Sequence, residues 1–216
     1  MPHTAVPASE LTARLNELRR VMSATHPDWK MILLDNKIDL YYFTGTMQEG
    51  ALVITPDEAV LFVRHSYECA VRDSRFPDIR PLGSFRGIAS AFPEIPETVY
   101  VAARTMTLQK LTMLQKYLPF APSPIDGILS GLCSVKSEYE LDCMRHAGKI
   151  HAKVLETVAP ALLRPGLSEA RLCAEICTSM LDHGAMCISR YNQPAAEDVL
   201  GFSSFSENSL LPAALD

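Results

Sequence analysis

Three short, unbroken apolar runs constrain this chain most: Met31-Ile32-Leu33-Leu34, Ala51-Leu52-Val53-Ile54-Thr55 and Ala59-Val60-Leu61-Phe62-Val63. Each is the length of one strand and lacks the apolar/polar alternation of a sheet with one wet face. Each therefore reads as a strand covered on both faces. Pro56-Asp57-Glu58 joins the last two as a tight hairpin turn. Strands of this kind need helices packed on their sheet, and the flanking sequence supplies them. Residues Ser9 to Ser23 read as an amphipathic helix capped by Ser9, with Leu11, Leu15, Leu18 and Met22 as its buried row. After the hairpin the pattern alternates. Ser66 to Arg75 is a helix, Ile79 to Leu82 a strand, Ser84 to Ala91 a helix and Thr98 to Ala102 a strand. Thr107 to Tyr117 is a helix with Leu108, Leu111 and Leu114 facing inward. Interleaving of this sort predicts an α/β layer structure.

Pro119, Pro122 and Pro124, followed by Gly127 and Gly131, read as a linker. The expected division is a first domain over 1–125, a linker over 126–136 and a second domain over 137–216. The second opens with Ser137, whose hydroxyl can cap a first turn while Glu140 reaches back to its amide. Leu141, Met144, Ala147, Val154, Leu155, Val158 and Leu162 then recur at spacings that put them on one face of a helix running to about Leu163, before Pro165-Gly166. Ser168 caps a further helix, with Glu169 in its positive first turn and Leu172, Ile176, Met180 and His183 on one side. Gly184 can close it in the left-handed conformation.

The formal charge of -5, with acids and bases interspersed, gives no basic stripe for phosphate, so no nucleic acid and no anionic membrane is expected as a partner. No run of about 18 apolar residues occurs, and Met1 to Pro7 do not resemble a leader peptide. The chain reads as cytoplasmic. Its six cysteines form no Cys-x-x-Cys pair, and reduced thiols are expected. Cys173, Cys177, His183 and Cys187 invite a metal reading, but an i, i+4 cysteine pair on an amphipathic helix is better read as packing.

Val135-Lys136-Ser137-x-x-Glu140, then Arg164-Pro165-Gly166-x-x-Glu169, then His183-Gly184-Ala185, resemble the segment that opens the catalytic domain of the creatinase/prolidase family. These are the pita-bread metallopeptidases, hydrolases that include Xaa-Pro aminopeptidases and Xaa-Pro dipeptidases. Upstream, Asp39-Leu40-Tyr41-Tyr42-Phe43-Thr44-Gly45 is similar to that family's Asn-Leu-Tyr-Tyr-Leu-Thr-Gly signature, and Leu61 to Arg64 with Glu68 and Ala70 to the strand and helix after it. The resemblance covers nearly the whole chain. It implies a three-layer creatinase/prolidase N-terminal domain with a mixed sheet, followed by an incomplete pita-bread (α+β) domain. It further implies a homodimer acting on proline-containing peptides, in which the first domain covers the active site and reaches substrate in the neighbouring subunit. Arg64 and His65, at a strand end, are the candidate substrate-facing residues; the alternative is a solvated cation and a surface histidine.

Family peptidases use two divalent metals, manganese, cobalt or zinc, held by two Asp, one His and two Glu, to activate the attacking water. Those ligands lie downstream of the segment present here. Where relatives carry a histidine beside the substrate, this sequence has Phe202 or Ala213, and neither moves a proton. Asp182, Glu197 and Asp198 read as surface charge on a helix end and a loop, and Tyr191-Asn192-Gln193-Pro194 as a loop. No position inherits a catalytic or metal-ligating role, and no cofactor is expected in this chain. Two functions compete: the N-terminal portion of a metal-dependent Xaa-Pro peptidase, inactive alone, or a non-enzymatic binding module that keeps the scaffold. Creatine amidinohydrolase shares the fold but works through a histidine that this chain lacks.

Overall fold

The computed structural model describes residues 5–186, 188–190, 197–199 and 204–210. It falls into two compact units that meet between Val135 and Lys136.

The first unit opens with α1 (Ala8–Thr25), which buries the expected row Leu11, Leu15, Leu18 and Met22. Its cap differs from expectation. The residue before the helix is Pro7, whose carbonyl accepts from the Glu10 and Leu11 amides, so Ser9 lies inside the first turn. The ring of Pro7 fixes φ at -58°, and the chain enters the helix from there. Strand β1 (Ile32–Leu34) leads to α2 (Lys37–Thr44) and then to the hairpin β2 (Gly50–Ile54) and β3 (Ala59–Val63). Asn36 caps α2 by accepting from the Ile38 amide, and Gly45 at φ +74° ends it. The Asp39 to Thr44 signature is thus a short helix that buries Leu40, Phe43 and Thr44. There follow α3 (Tyr67–Asp73), β4 (Ile79–Pro81), α4 (Arg86–Ala91), β5 (Thr98–Val101), α5 (Leu108–Gln115), β6 (Ala121–Pro124) and α6 (Asp126–Ser134).

Six strands form one mixed sheet in the order β4-β3-β2-β1-β5-β6. β2 is antiparallel to both β1 and β3, while β1, β5 and β6 run parallel, as do β3 and β4. β1 and β2 are buried at every position, as their unbroken apolar runs require. Below the sheet, Met31, Leu33, Val53, Phe62, Ile88, Val99 and Leu114 join one core. Leu111 packs against that core, but Leu108 is 79% exposed. Leu108 stands roughly 120° round the helix from Leu114, off the buried face.

The expected linker is instead structured. Residues Ala121 to Pro124 are an edge strand, and Asp126 to Ser134 are a helix that buries Leu129. Proline composition misleads here because it was read without its register. The Ala121 and Ile125 amides donate to β5, at the carbonyls of Glu97 and Val101, whereas Pro122 and Pro124 fall on the alternate positions, which face the open edge. Proline suits that edge, since it lacks the donor that another strand could use. Asp126 also accepts hydrogen bonds from the Ala103 and Arg104 amides at 3.0 and 2.9 Å, tying α6 to the end of β5. The first unit therefore runs ten residues past the expected 125, to Val135.

The second unit begins as the sequence predicts. The Ser137 hydroxyl accepts from the Glu140 amide at 3.2 Å, and the Glu140 carboxylate accepts from the Ser137 amide at 2.9 Å. Helix α7 (Glu138–Lys153) continues through a π turn over Val154–Val158 into α8 (Ala159–Leu162). The wider turn sits where Pro160, having no N–H, cannot close a regular helical bond to Glu156. The apolar stripe is present as a helix face, but of its members only Val154 is buried. Met144 and Leu155 are more than half exposed. Helix α9 (Glu169–Asp182) has the predicted Ser168 cap and the predicted Gly184 at φ +83°. Leu172, Cys177 and Met180 form its buried row. Glu169 does more than favour the helix dipole: its carboxylate accepts from the Phe205 amide and the Asn208 side chain, holding the 3-10 turn Ser206–Leu210. β7 (Ile188–Arg190) pairs antiparallel with β8 (Glu197–Val199), so Glu197 and Asp198 lie on a strand rather than a loop. Tyr191 to Pro194, Phe202 and Ala213 lie outside the described residues.

Candidate functional site

Strand β3 ends at Val63, and Arg64, His65 and Ser66 follow in the turn to α3. The Arg64 amide donates to the Glu49 carbonyl at 2.7 Å, which clamps the turn to the residue before β2. The Glu49 carboxylate lies between the two candidates, 3.5 Å from the Arg64 guanidinium and 3.9 Å from His65 Nε2. All three side chains are about half exposed or more, at 49, 65 and 50% for Arg64, His65 and Glu49. Such an arrangement can bind or orient an anion. It supplies no nucleophile with a base in reach. Ser66 takes a left-handed φ of 57°, unusual for a residue with a Cβ, and this turns the chain sharply out of β3.

A second group of charges, not singled out from the sequence, sits where the parallel strands β1, β5 and β6 end. Asp35 directly follows β1; its carboxylate is only 4% exposed and pairs with Lys110 of α5 at 2.6 Å. Asp126 follows β6 and holds the two amides named above. Asp39 stands in the first turn of α2. Its carboxyl is pushed up from 3.8 to about 6, mainly by burial, then by the negative charges of Asp126 and Asp35, against a lowering hydrogen bond with Asn36. The only sequence signal for this cluster is the recurrence of Asp just past a strand.

The raised value has a direct consequence for stability. Between pH 3.8 and about 6 the folded chain holds a proton on Asp39 that the unfolded chain has released, so stability falls as pH rises through that window. We expect Asp39→Asn to unfold about 1–2 kcal/mol later than the parent at pH 7, after discount for partial solvent screening and lost helix-dipole attraction. The gain should vanish below pH 4. Urea titrations read by the fluorescence of Trp29, the one tryptophan, check this. A gain that is constant from pH 4 to pH 8 would contradict the assignment.

The described residues do not fit a metal centre. No group of three or more His, Cys, Asp or Glu among them is placed to hold an ion. In the cysteine-rich helix, Cys177 is buried and disulfide-bonded, while Cys173 is a free thiol. His183 Nδ1 is engaged with the Ser179 carbonyl at 2.7 Å. The reduced state expected of every cysteine does not hold for Cys177.

The mixed sheet, with its helical signature between β1 and β2, gives the fold, and a match of the sequence to a family model decides the family. The model of the creatinase/prolidase N-terminal domain matches residues 14–132, more than half of the chain. The chain belongs to the creatinase/prolidase family. Among solved structures it is similar to an Xaa-Pro dipeptidase from Bacillus anthracis, with a TM-score of 0.70 and 19% identity over 80% of this chain and 49% of that one. It is similar to the prolidase from Pyrococcus furiosus, with a TM-score of 0.67 and 21% identity over 78% of this chain and 52% of that one. The dipeptidase PepE from Mycobacterium ulcerans matches with a TM-score of 0.69 and 20% identity, over 86% of this chain and 53% of that one. At these identities the likeness is one of fold, and this creatinase/prolidase chain spans about half the length of each. No curated protein matches it. Among the described residues no helix is long and apolar enough to cross a membrane.

Proposed function

We propose that this chain is the N-terminal portion of an Xaa-Pro peptidase: a complete covering domain followed by the first part of a pita-bread catalytic domain. Membership of the family over residues 14–132 carries the reading, and the match to about half of each of several dipeptidases and prolidases supports it. In this reading the chain pairs with a second copy, and Arg64 and His65 present a cation and an imidazole to a proline-containing peptide bound in the neighbouring subunit. Their exposure and the rigid strand end behind them suit that task.

Hydrolysis in this family's manner needs two divalent metals, and the described residues provide no place for them. The 216-residue chain is therefore expected to release no N-terminal residue from an Ala-Pro peptide, with or without manganese, cobalt or zinc. Turnover that survives repurification and tracks a stoichiometric metal would overturn this.

A further inference from the structure

Strands β3 and β4 end side by side, and the chain leaving them borders a cleft of about 120 Å³ that Arg64, Gly83, Phe85, Met113 and Tyr117 help to line. Its floor is apolar. Phe85 packs against the core under the sheet, and Met113 and Tyr117 keep 41% and 36% of their surface exposed. Its rim is cationic. Arg64 lines it, and the Arg86 guanidinium lies over the Tyr117 ring at 5.4 Å. Among the described residues neither guanidinium donates a hydrogen bond to the protein: the carboxylate nearest Arg64, that of Glu49, stands at 3.5 Å, and Arg86 has no ion pair. Arg86 thus has a planar fork of donors to offer, a shape that matches a carboxylate, while Arg64 is ion-paired with the half-exposed Glu49 carboxylate, which a guest carboxylate would have to displace or share.

We propose that this cleft binds a small apolar monocarboxylate. The carboxylate pairs with Arg64, under added positive potential from Arg86, and the apolar body covers Phe85, Met113 and Tyr117. The chemistry of the two parts selects the guest. A bare inorganic anion leaves the aromatic and thioether floor wet, whereas an uncharged apolar guest leaves the guanidinium donors without an acceptor. The cleft admits a group of about one amino-acid side chain, which rules out a long acyl chain. Gly83 keeps the wall open, since a Cβ built there meets nothing within 4 Å. The inference shares Arg64 with the peptidase reading but does not rest on it, because binding is measured without turnover.

The test is a titration of the isotopically labelled chain with phenylacetate, followed at the Gly83 and Ser84 amides. Saturable shifts are expected, with phenylacetamide and inorganic phosphate each binding at least about tenfold more weakly. That ratio corresponds to loss of one charge-assisted pair or of the apolar contact. Arg64→Gln and Arg86→Gln should each weaken phenylacetate severalfold, and Gly83→Leu, which fills the cleft, should abolish its shifts. N-acetyl-Gly-Phe separates the two sources of such a carboxylate. Binding as tight as that of phenylacetate assigns the cleft to a peptide C-terminus, and a tenfold preference for phenylacetate assigns it to a free acid. Amide or phosphate binding equal to that of the acid overturns the proposal, as do shifts that persist in Gly83→Leu. If Gly83→Leu does not fold, the comparison of acid with amide in the parent chain decides alone.

Discussion

Gly50→Ala should destabilise the first unit by about 3 kcal/mol or more, at the upper end of overpacking effects. Gly50 opens β2 opposite Val63, and a Cβ at this position would lie 2.0 Å from the Phe62 carbonyl oxygen and 3.2 Å from the Val63 Cα. Both obstacles are backbone in the neighbouring strand, which no rotamer change can move aside. Relief requires β2 and β3 to separate at their end, and the Arg64 amide bond to the Glu49 carbonyl lies in that same place. The substitution should therefore disturb the Arg64–His65 turn as well as the sheet. Gly127→Ala is the control, because a Cβ there meets nothing within 4 Å. Urea unfolding followed at Trp29, itself 4% exposed in the same unit, measures the difference. Equal midpoints for the two variants would contradict the geometry.

Phe43→Ala should cost about 3–5 kcal/mol, the range for truncating a fully buried phenylalanine. Phe43 is 1% exposed on α2, and its ring meets that of Tyr42 edge to face at a centroid distance of 4.9 Å. Tyr42 in turn carries Arg14. The guanidinium lies 4.3 Å over the ring and donates to the Tyr42 carbonyl at 2.7 Å, while Glu10 accepts from it at 2.8 Å. The cavity left by Phe43 thus opens beneath the contact that seats α1 on α2. Phe43→Leu keeps most of the volume and should cost under about half as much. A loss below about 1 kcal/mol for Phe43→Ala would mean that the site collapses around the smaller side chain, and the packing described for α2 would have to be revised.

Most of the fold was legible because its signals are local. The unbroken runs Met31–Leu34, Ala51–Thr55 and Ala59–Val63 mark doubly covered strands, and the strands found there, Ile32–Leu34, Gly50–Ile54 and Ala59–Val63, are all interior to the sheet. The cap pairs at Ser137 and Ser168 and the left-handed Gly184 depend on residues at most a few positions apart, and each is found as read. The family was legible in the same way, from short motifs in a fixed order.

What failed in the sequence reading failed for want of register or of a distant partner. Pro122 and Pro124 signalled a linker by composition, yet pairing with β5 puts them on the free side of an edge strand. Arg14 of α1 drew no notice in the sequence and is buried, its guanidinium donating to a carbonyl 28 positions away. Of the site, the sequence located Arg64 and His65 at a strand end, and there it stopped. The approach of Glu49, the gathering of Asp35 and Asp126 from two strand ends with Asp39 from the start of α2, and the cleft shared by Arg64, Gly83 and Tyr117 join segments tens of residues apart. Helical and strand periodicity belong to the sequence because neighbours along the chain create them. A carboxyl held near pH 6 and a guanidinium over an apolar floor belong to the tertiary structure, since burial and through-space charge are set only once those segments are packed together.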